Sequence, residues 1–190
     1  MSDDPLSNAL DAARGGRNWD ALAALIAAMI GVMALLVSGY TAYIQRQQVR
    51  AQVWPYLMAG WADFEQSRIV INKGVGPAQV RSVEMLVDGK PQPDWPHVIA
   101  ALGLPGDFSM NQSTINSTVV SAGEKVAILK LEDKEQYRRF RAGIERMTLR
   151  ICYCSTLGDC WMHEDHRRRD QGEEQVAECP RLPEDRVFNE

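Results

Sequence analysis

Cysteine is missing from residues 1 to 151 of this 190-residue chain; all four cysteines fall between positions 152 and 179. Charge is missing from a second stretch, Ala21 to Ile44, "ALAALIAAMIGVMALLVSGYTAYI". Catalytic patterns are also sparse. There is no C-x-x-C redox pair, no G-x-S-x-G nucleophile elbow and no Gly-Lys-Ser/Thr phosphate loop, so thiol oxidoreductases, hydrolases of that type and nucleotide-binding enzymes have no sequence support. The three histidines, His97, His163 and His166, read as surface residues. A formal net charge of −4 argues against nucleic acid as a partner.

The charge-free stretch is the strongest feature present. As a helix it would extend ~36 Å, enough to cross a hydrocarbon core of about 30 Å with some tilt. Its Leu, Ile and Val residues together favour insertion by roughly 4 kcal/mol, with no Asp, Lys or Arg to oppose them. A buried helix of a soluble protein would carry a polar stripe, and none is present. The apolar run exceeds the roughly 7–15 residues of a signal-peptide core, and the stretch before it is not basic: Asp3, Asp4, Asp11 and Asp20 outnumber Arg14 and Arg17. The expectation is an uncleaved anchor in a lipid bilayer.

Flanking charge does not orient this anchor, because Arg46 and Arg50 after it balance Arg14 and Arg17 before it. The cysteines do. An even set confined to the end of the chain reads as a disulfide framework in an oxidising compartment, which puts the carboxy-terminal domain outside the cytoplasm and the amino terminus inside.

Within "RMTLRICYCSTL", Leu149, Ile151 and Tyr153 alternate with Cys152 and Cys154, so the two cysteines share a strand face and each needs a partner elsewhere. If "STLGD" turns a hairpin, Cys154 falls opposite Cys160 and Tyr153 opposite Trp161, leaving Cys152 for Cys179. Loop-closure entropy assigns ~2 kcal/mol to the smaller loop and ~3 to 4 kcal/mol to the larger. Four cysteines allow other pairings, and connectivity stays open at this point. The rival reading is a zinc or copper site at Cys154, Cys160, His163 and His166. Its ligand intervals do not form the two close pairs usual for structural zinc.

Along the span, Ala24, Ala27, Gly31, Ala34, Ser38 and Thr41 recur at intervals of 3 and 4. Such a small-residue stripe lets helices approach closely, so a membrane-protein partner or a second copy of the chain is expected there, although alanine-rich spans also produce stripes by chance. The spacing continues through Gln45, Gln48 and Gln52 until Pro55 stops the helix. Trp54, Tyr56 and Trp61 then suit interfacial anchoring and core packing, or contact with a neighbouring membrane subunit.

Beyond Trp54 the period turns from helical to alternating. Strands are expected at "SRIVINKG", "QVRSVEMLVDGK", "TINSTVVS", "EKVAILKLE", "RMTLRICYCS" and "CWMHE". Asp94 caps one short helix, with Pro96 in its first turn; Asp133 and Gln136 form a capping box for another, whose apolar face is Tyr137, Phe140 and Ile144. Four regions result: a short flexible cytoplasmic tail (1–18), a transmembrane helix with an extension (19–53), a β domain (54–165) and a charged tail tethered by Cys179 (166–190). Glu164, Asp165, Glu173 and Glu174 read as a solvated charge run in that tail, and Arg167, Arg168 and Arg169 as a basic run offset by acidic neighbours. The expected fold class is mainly β, an immunoglobulin-like sandwich with two short helices behind one transmembrane helix.

At "INKGVGPAQVRSVEMLVDGK", with "VWPYL" upstream and "CYCSTLGDCW" downstream, the chain resembles uncharacterised bacterial single-pass membrane proteins. Their exported β domain carries an N-x-G-x-G-P-A turn and a Cys-rich hairpin near the end. The resemblance covers residues 45 to 163 and implies a fold and a topology, and it brings no assigned activity. The expectation for the whole chain is a non-enzymatic accessory or binding protein of the bacterial inner membrane, with its β domain in the periplasm and no cofactor. In the turn, Asn72 can bond the backbone, Gly74 and Gly76 can take positive φ, and Pro77 fixes the exit.

Overall fold

The computed structural model describes residues 5–165 and 173–189, with residues 5–18 as backbone only. The chain separates into two compact units, residues 1–49 and 50–190. The first is most of helix α1 (Pro5–Gln52), 48 residues long. Its stretch Trp19–Gln52 is long and apolar enough to cross a membrane, and none of its most apolar window is buried within the protein. The Thr41 hydroxyl donates to the Val37 carbonyl at 2.8 Å, which satisfies it within its own helix. The helix ends three residues before Pro55, where a missing N–H and a blocked preceding turn forbid continuation. It begins at Pro5, so residues 5–18, expected as a flexible tail, have helical backbone.

The second unit is built from two antiparallel sheets. One has four strands in the order β1 (Leu57–Ala62), β2 (Ser67–Asn72), β7 (Lys125–Leu131), β5 (Met110–Gln112). The other has six: β10 (Glu174–Val176), β9 (Cys160–Glu164), β8 (Met147–Cys154), β3 (Ala78–Val87) and β4 (Lys90–Gln92), with β6 (Val119–Val120) also on β3. Val83, Met85 and Val87 face the core from β3, as their alternation requires. Asp88 and Gly89, at φ of 51° and 76°, join β3 to β4 with Val87 opposite Lys90, a two-residue hairpin turn with both central residues left-handed.

Two helices close the sandwich. Asp94 caps α2 (Trp95–Ala101) by accepting the His97 N–H at 2.9 Å. Asp133 caps α3 (Lys134–Arg141) by accepting the Gln136 N–H at 2.7 Å. The Gln136 side chain does not return the bond as a capping box would: it accepts from Ser109 N and donates to Asp107 O, holding the preceding loop instead. Trp95, Phe140 and Phe188 meet in the core, with Trp95 and Phe188 edge to face at 5.0 Å.

Phe188 revises the reading of residues 166–190 as a charged tail. Its ring is wholly buried and its N–H donates to the Val83 carbonyl at 2.9 Å, between the stretches of β3 already paired with β6 and β4. Two residues earlier, Arg186 meets Glu84 at 2.5 Å. Glu84 and Ser82 lie on the face of β3 opposite Val83, yet both are buried. The returning chain covers a strand face that alternation alone assigns to solvent.

Candidate functional site

The β8–β9 hairpin has the register expected from "STLGD": Tyr153 lies opposite Trp161, Cys154 opposite Cys160 and Ile151 opposite His163. One face of the hairpin therefore carries Tyr153, Trp161 and His163, and the other carries Cys152, Cys154, Cys160 and Met162. On the sulfur face, Cys154 and Cys160 stand at disulfide distance, 2.09 Å, and Cys152 reaches Cys179 at 2.06 Å. The two pairs are adjacent. Cys154 Sγ lies 3.7 Å from Cys179 Sγ, and the sulfurs of Cys154, Cys160 and Cys179 are all within 4.8 Å of one another.

These three cysteines line an open cleft of about 590 Å³ with Arg81, Ser117 and Arg181. Cys152, Cys154 and Cys160 are all buried, and Cys179 is half-buried. The cysteine–histidine metal set does not assemble among the described residues, because His163 points to the opposite face of the hairpin from Cys154 and Cys160; His166 lies outside them.

A second centre lies on the inner face. Arg68, from β2, meets Asp165 at 2.5 Å and holds its guanidinium 5.0 Å from the centre of the Trp61 ring. Asp165 also accepts the Leu149 N–H at 3.1 Å. His163 Nε2 accepts the Ala59 N–H at 3.3 Å, which leaves the ring proton on Nδ1, facing a Glu173 oxygen at 3.5 Å. The Tyr153 hydroxyl accepts the Leu57 N–H at 3.2 Å and donates to the other Glu173 oxygen.

Burial pushes the Glu173 carboxyl up to about 8, and among the described residues its Oε1 has no hydrogen-bond partner. Burial, aided by the Arg68 charge, pulls the His163 imidazole below its usual value against the opposing carboxylates of Asp165 and Glu164. The arrangement performs a structural task. Leu57 and Ala59 belong to β1, an edge strand of the first sheet, and two side chains from the second sheet take up their N–H groups. His163, Asp165 and Glu173 are thus not the surface histidine and solvated carboxylates that the polar composition implied. No periodic signal separates them from the exposed acids beside them.

Asn72 organises the N-x-G-x-G-P-A turn. The side chain is fully buried and makes four hydrogen bonds: its oxygen accepts Tyr56 N at 3.1 Å and Gly74 N at 2.9 Å, and its nitrogen donates to Gly76 O at 2.8 Å and Val120 O at 3.0 Å. Gly74 and Gly76 are not in the left-handed region, contrary to the role expected of them. Their function is close approach. A Cβ on Gly76 would lie 2.1 Å from the Val53 carbonyl oxygen, and one on Gly74 2.4 Å from Tyr56 N. The turn thereby clasps the segment through which the chain enters the sandwich, and Pro77 leads out of it into β3.

The remaining sequence candidates are dispersed. Ala24, Ala27, Gly31, Ala34, Ser38 and Thr41 are exposed along α1. Trp54 is exposed with its ring 5.5 Å from Tyr56, whereas Trp61 packs on Tyr137 and Phe140, with the guanidiniums of Arg68 and Arg141 5.0 and 5.3 Å from its ring centre, a core role. Near it, Tyr137 donates to Asp63 at 2.5 Å and Arg141 reaches the same oxygen at 3.1 Å. These bonds hold the Asp63 carboxyl below its usual range, and burial raises the Tyr137 hydroxyl. Arg167, Arg168 and Arg169 lie outside the described residues.

Compared with protein-family models, curated proteins and solved structures, the chain matches none.

Proposed function

We propose that this chain is a membrane-anchored, non-enzymatic accessory protein of the bacterial inner membrane, presenting an immunoglobulin-like sandwich in the periplasm as part of a membrane complex. One combination carries the reading: among the described residues, one exposed apolar helix leads directly into a β domain whose four cysteines all stand at disulfide distance. The helix suits lipid, and the sulfur pairs suit an oxidising compartment on its far side. Strand order supports the immunoglobulin-like element. The sequences β1-β2-β7-β5 and β4-β3-β8-β9 correspond one for one to A-B-E-D and C′-C-F-G of that fold. The sulfur pairs differ from the usual inter-sheet bond, since they join the F–G hairpin and the returning tail rather than strands B and F.

The stripe from Ala24 to Thr41 is the surface offered to a membrane partner or a second copy. Treating spheroplasts with a membrane-impermeant maleimide, before and after reduction, tests the reading. The expected result is no labelling until reductant is added, then labelling of the released thiols, with the half-buried Cys179 foremost. Free thiols reachable only after permeabilisation, or recovery of the full-length chain in the aqueous fraction, would overturn it.

A further inference from the structure

We propose that the two sulfur pairs form one exchange-coupled redox site, at which an external dithiol drives a disulfide rearrangement to Cys154–Cys179. This goes beyond the accessory reading and holds on either side of a membrane. Its basis is the 3.7 Å separation between Cys154 and Cys179, sulfurs belonging to different pairs, together with their common place in the lining of the cleft. Thiol–disulfide exchange proceeds by attack of a thiolate on a disulfide sulfur, and reduction of either pair leaves a thiol whose sulfur lies 3.7 Å from the other pair.

Two routes of entry reach the same product. A dithiol that reduces Cys154–Cys160 is itself oxidised to a disulfide and leaves two thiols. The Cys154 thiolate attacks Cys179; the Cys154–Cys179 bond forms, the Cys152–Cys179 bond breaks, and Cys152 departs as thiolate and takes up the proton lost by Cys154. If the dithiol instead reduces Cys152–Cys179, the Cys179 thiolate attacks Cys154, the same bond forms, and Cys160 is the leaving group. Either way Cys152 and Cys160 end as thiols, and the second step is redox-neutral. Arg81 and Arg181 line the cleft and favour thiolate there, with Glu178 opposing them. The connection between the tail and β8 moves from Cys152 to Cys154, and the covalent closure of the hairpin is lost.

The test uses the full-length chain in detergent with one equivalent of a small dithiol, acid quenching, thiol alkylation and peptide mapping of the singly reduced protein. The expected species carries Cys154–Cys179 with Cys152 and Cys160 alkylated. It should make up at least about one-twentieth of that fraction, the share of one pairing among three when it is no more than tenfold less stable than either of the others, and be independent of protein concentration. A singly reduced fraction holding only the original pairs overturns the proposal, as does a rearranged species that grows with concentration and so arises between chains. The Cys160→Ser variant supplies a second readout without reductant. Alkylation divided between Cys152 and Cys154 is expected, and alkylation of Cys154 alone overturns the proposal.

Discussion

Replacing Asn72 with alanine should damage this fold severely. Four hydrogen bonds disappear, to Tyr56 N, Gly74 N, Gly76 O and Val120 O, at a fully buried site. At about 1 kcal/mol net for each, the loss is about 4 kcal/mol, and more where water cannot reach the abandoned groups. Domains of this kind have only about 5–15 kcal/mol in hand. Asn72→Asp sharpens the test. A carboxylate still accepts the two N–H groups but directs negative charge at the Gly76 and Val120 carbonyls, so its protonated form is preferred in the fold and its folded pKa lies above the unfolded value. Stability is then fully present below the unfolded pKa and is lost as pH rises through the folded one.

Urea unfolding of the full-length chain in detergent, followed by tryptophan fluorescence, reads the β domain through Trp61 and Trp95. The midpoint should fall at constant slope for Asn72→Ala, and the Asn72→Asp deficit should be smaller at pH 4 than at pH 7. A loss below about 1 kcal/mol for Asn72→Ala, or a pH-independent Asn72→Asp, would refute the clasp as described.

Gly76→Ala, with its Cβ driven against the Val53 backbone, should leave little folded domain by circular dichroism, while Gly60→Ala, with open space around it, should be nearly neutral. Phe188→Ala should cost about 3–5 kcal/mol in the same urea assay, a loss that a solvated tail would not show. Glu173→Gln should raise the melting temperature, increasingly from pH 5 to pH 9. With its folded pKa raised from 4.5 to about 8, Glu173 supports the fold below 4.5 and loses that contribution as pH rises through 8, whereas glutamine does not titrate. His163 works in the other direction. Its lowered pKa means that stability is complete above the ordinary histidine value of 6.5 and is lost as pH falls through the folded value, so His163→Gln should flatten the acid side of the melting profile.

The sandwich was readable in outline because strands β2, β3, β7, β8 and β9 carry strong alternation and helices α2 and α3 carry their caps in the sequence. Strand β1, "LMAGWA", was not expected, because its alternation is faint; it is held by pairing with β2 and by side chains of the second sheet. Strands β4, β5 and β10 are three residues each, too short for any period to register. The glycines of the turn were located correctly but given the wrong reason, since close approach to Val53 and Tyr56 is a property of a chain segment some twenty residues away.

What the chain determines by itself is whatever depends on neighbours in sequence: a helix with an uncharged stretch from Ala21 to Ile44 and an end set by Pro55, the alternation of strands, and a hairpin register that sets Cys154 opposite Cys160. Only the tertiary structure decided that Phe188 fills the core, that His163 and Glu173 are enclosed beside Tyr153, and that two sulfur pairs lie in contact. Periodicity records which face a residue occupies, whereas the burial of a charge or the meeting of two sulfurs depends on which distant segment covers that face.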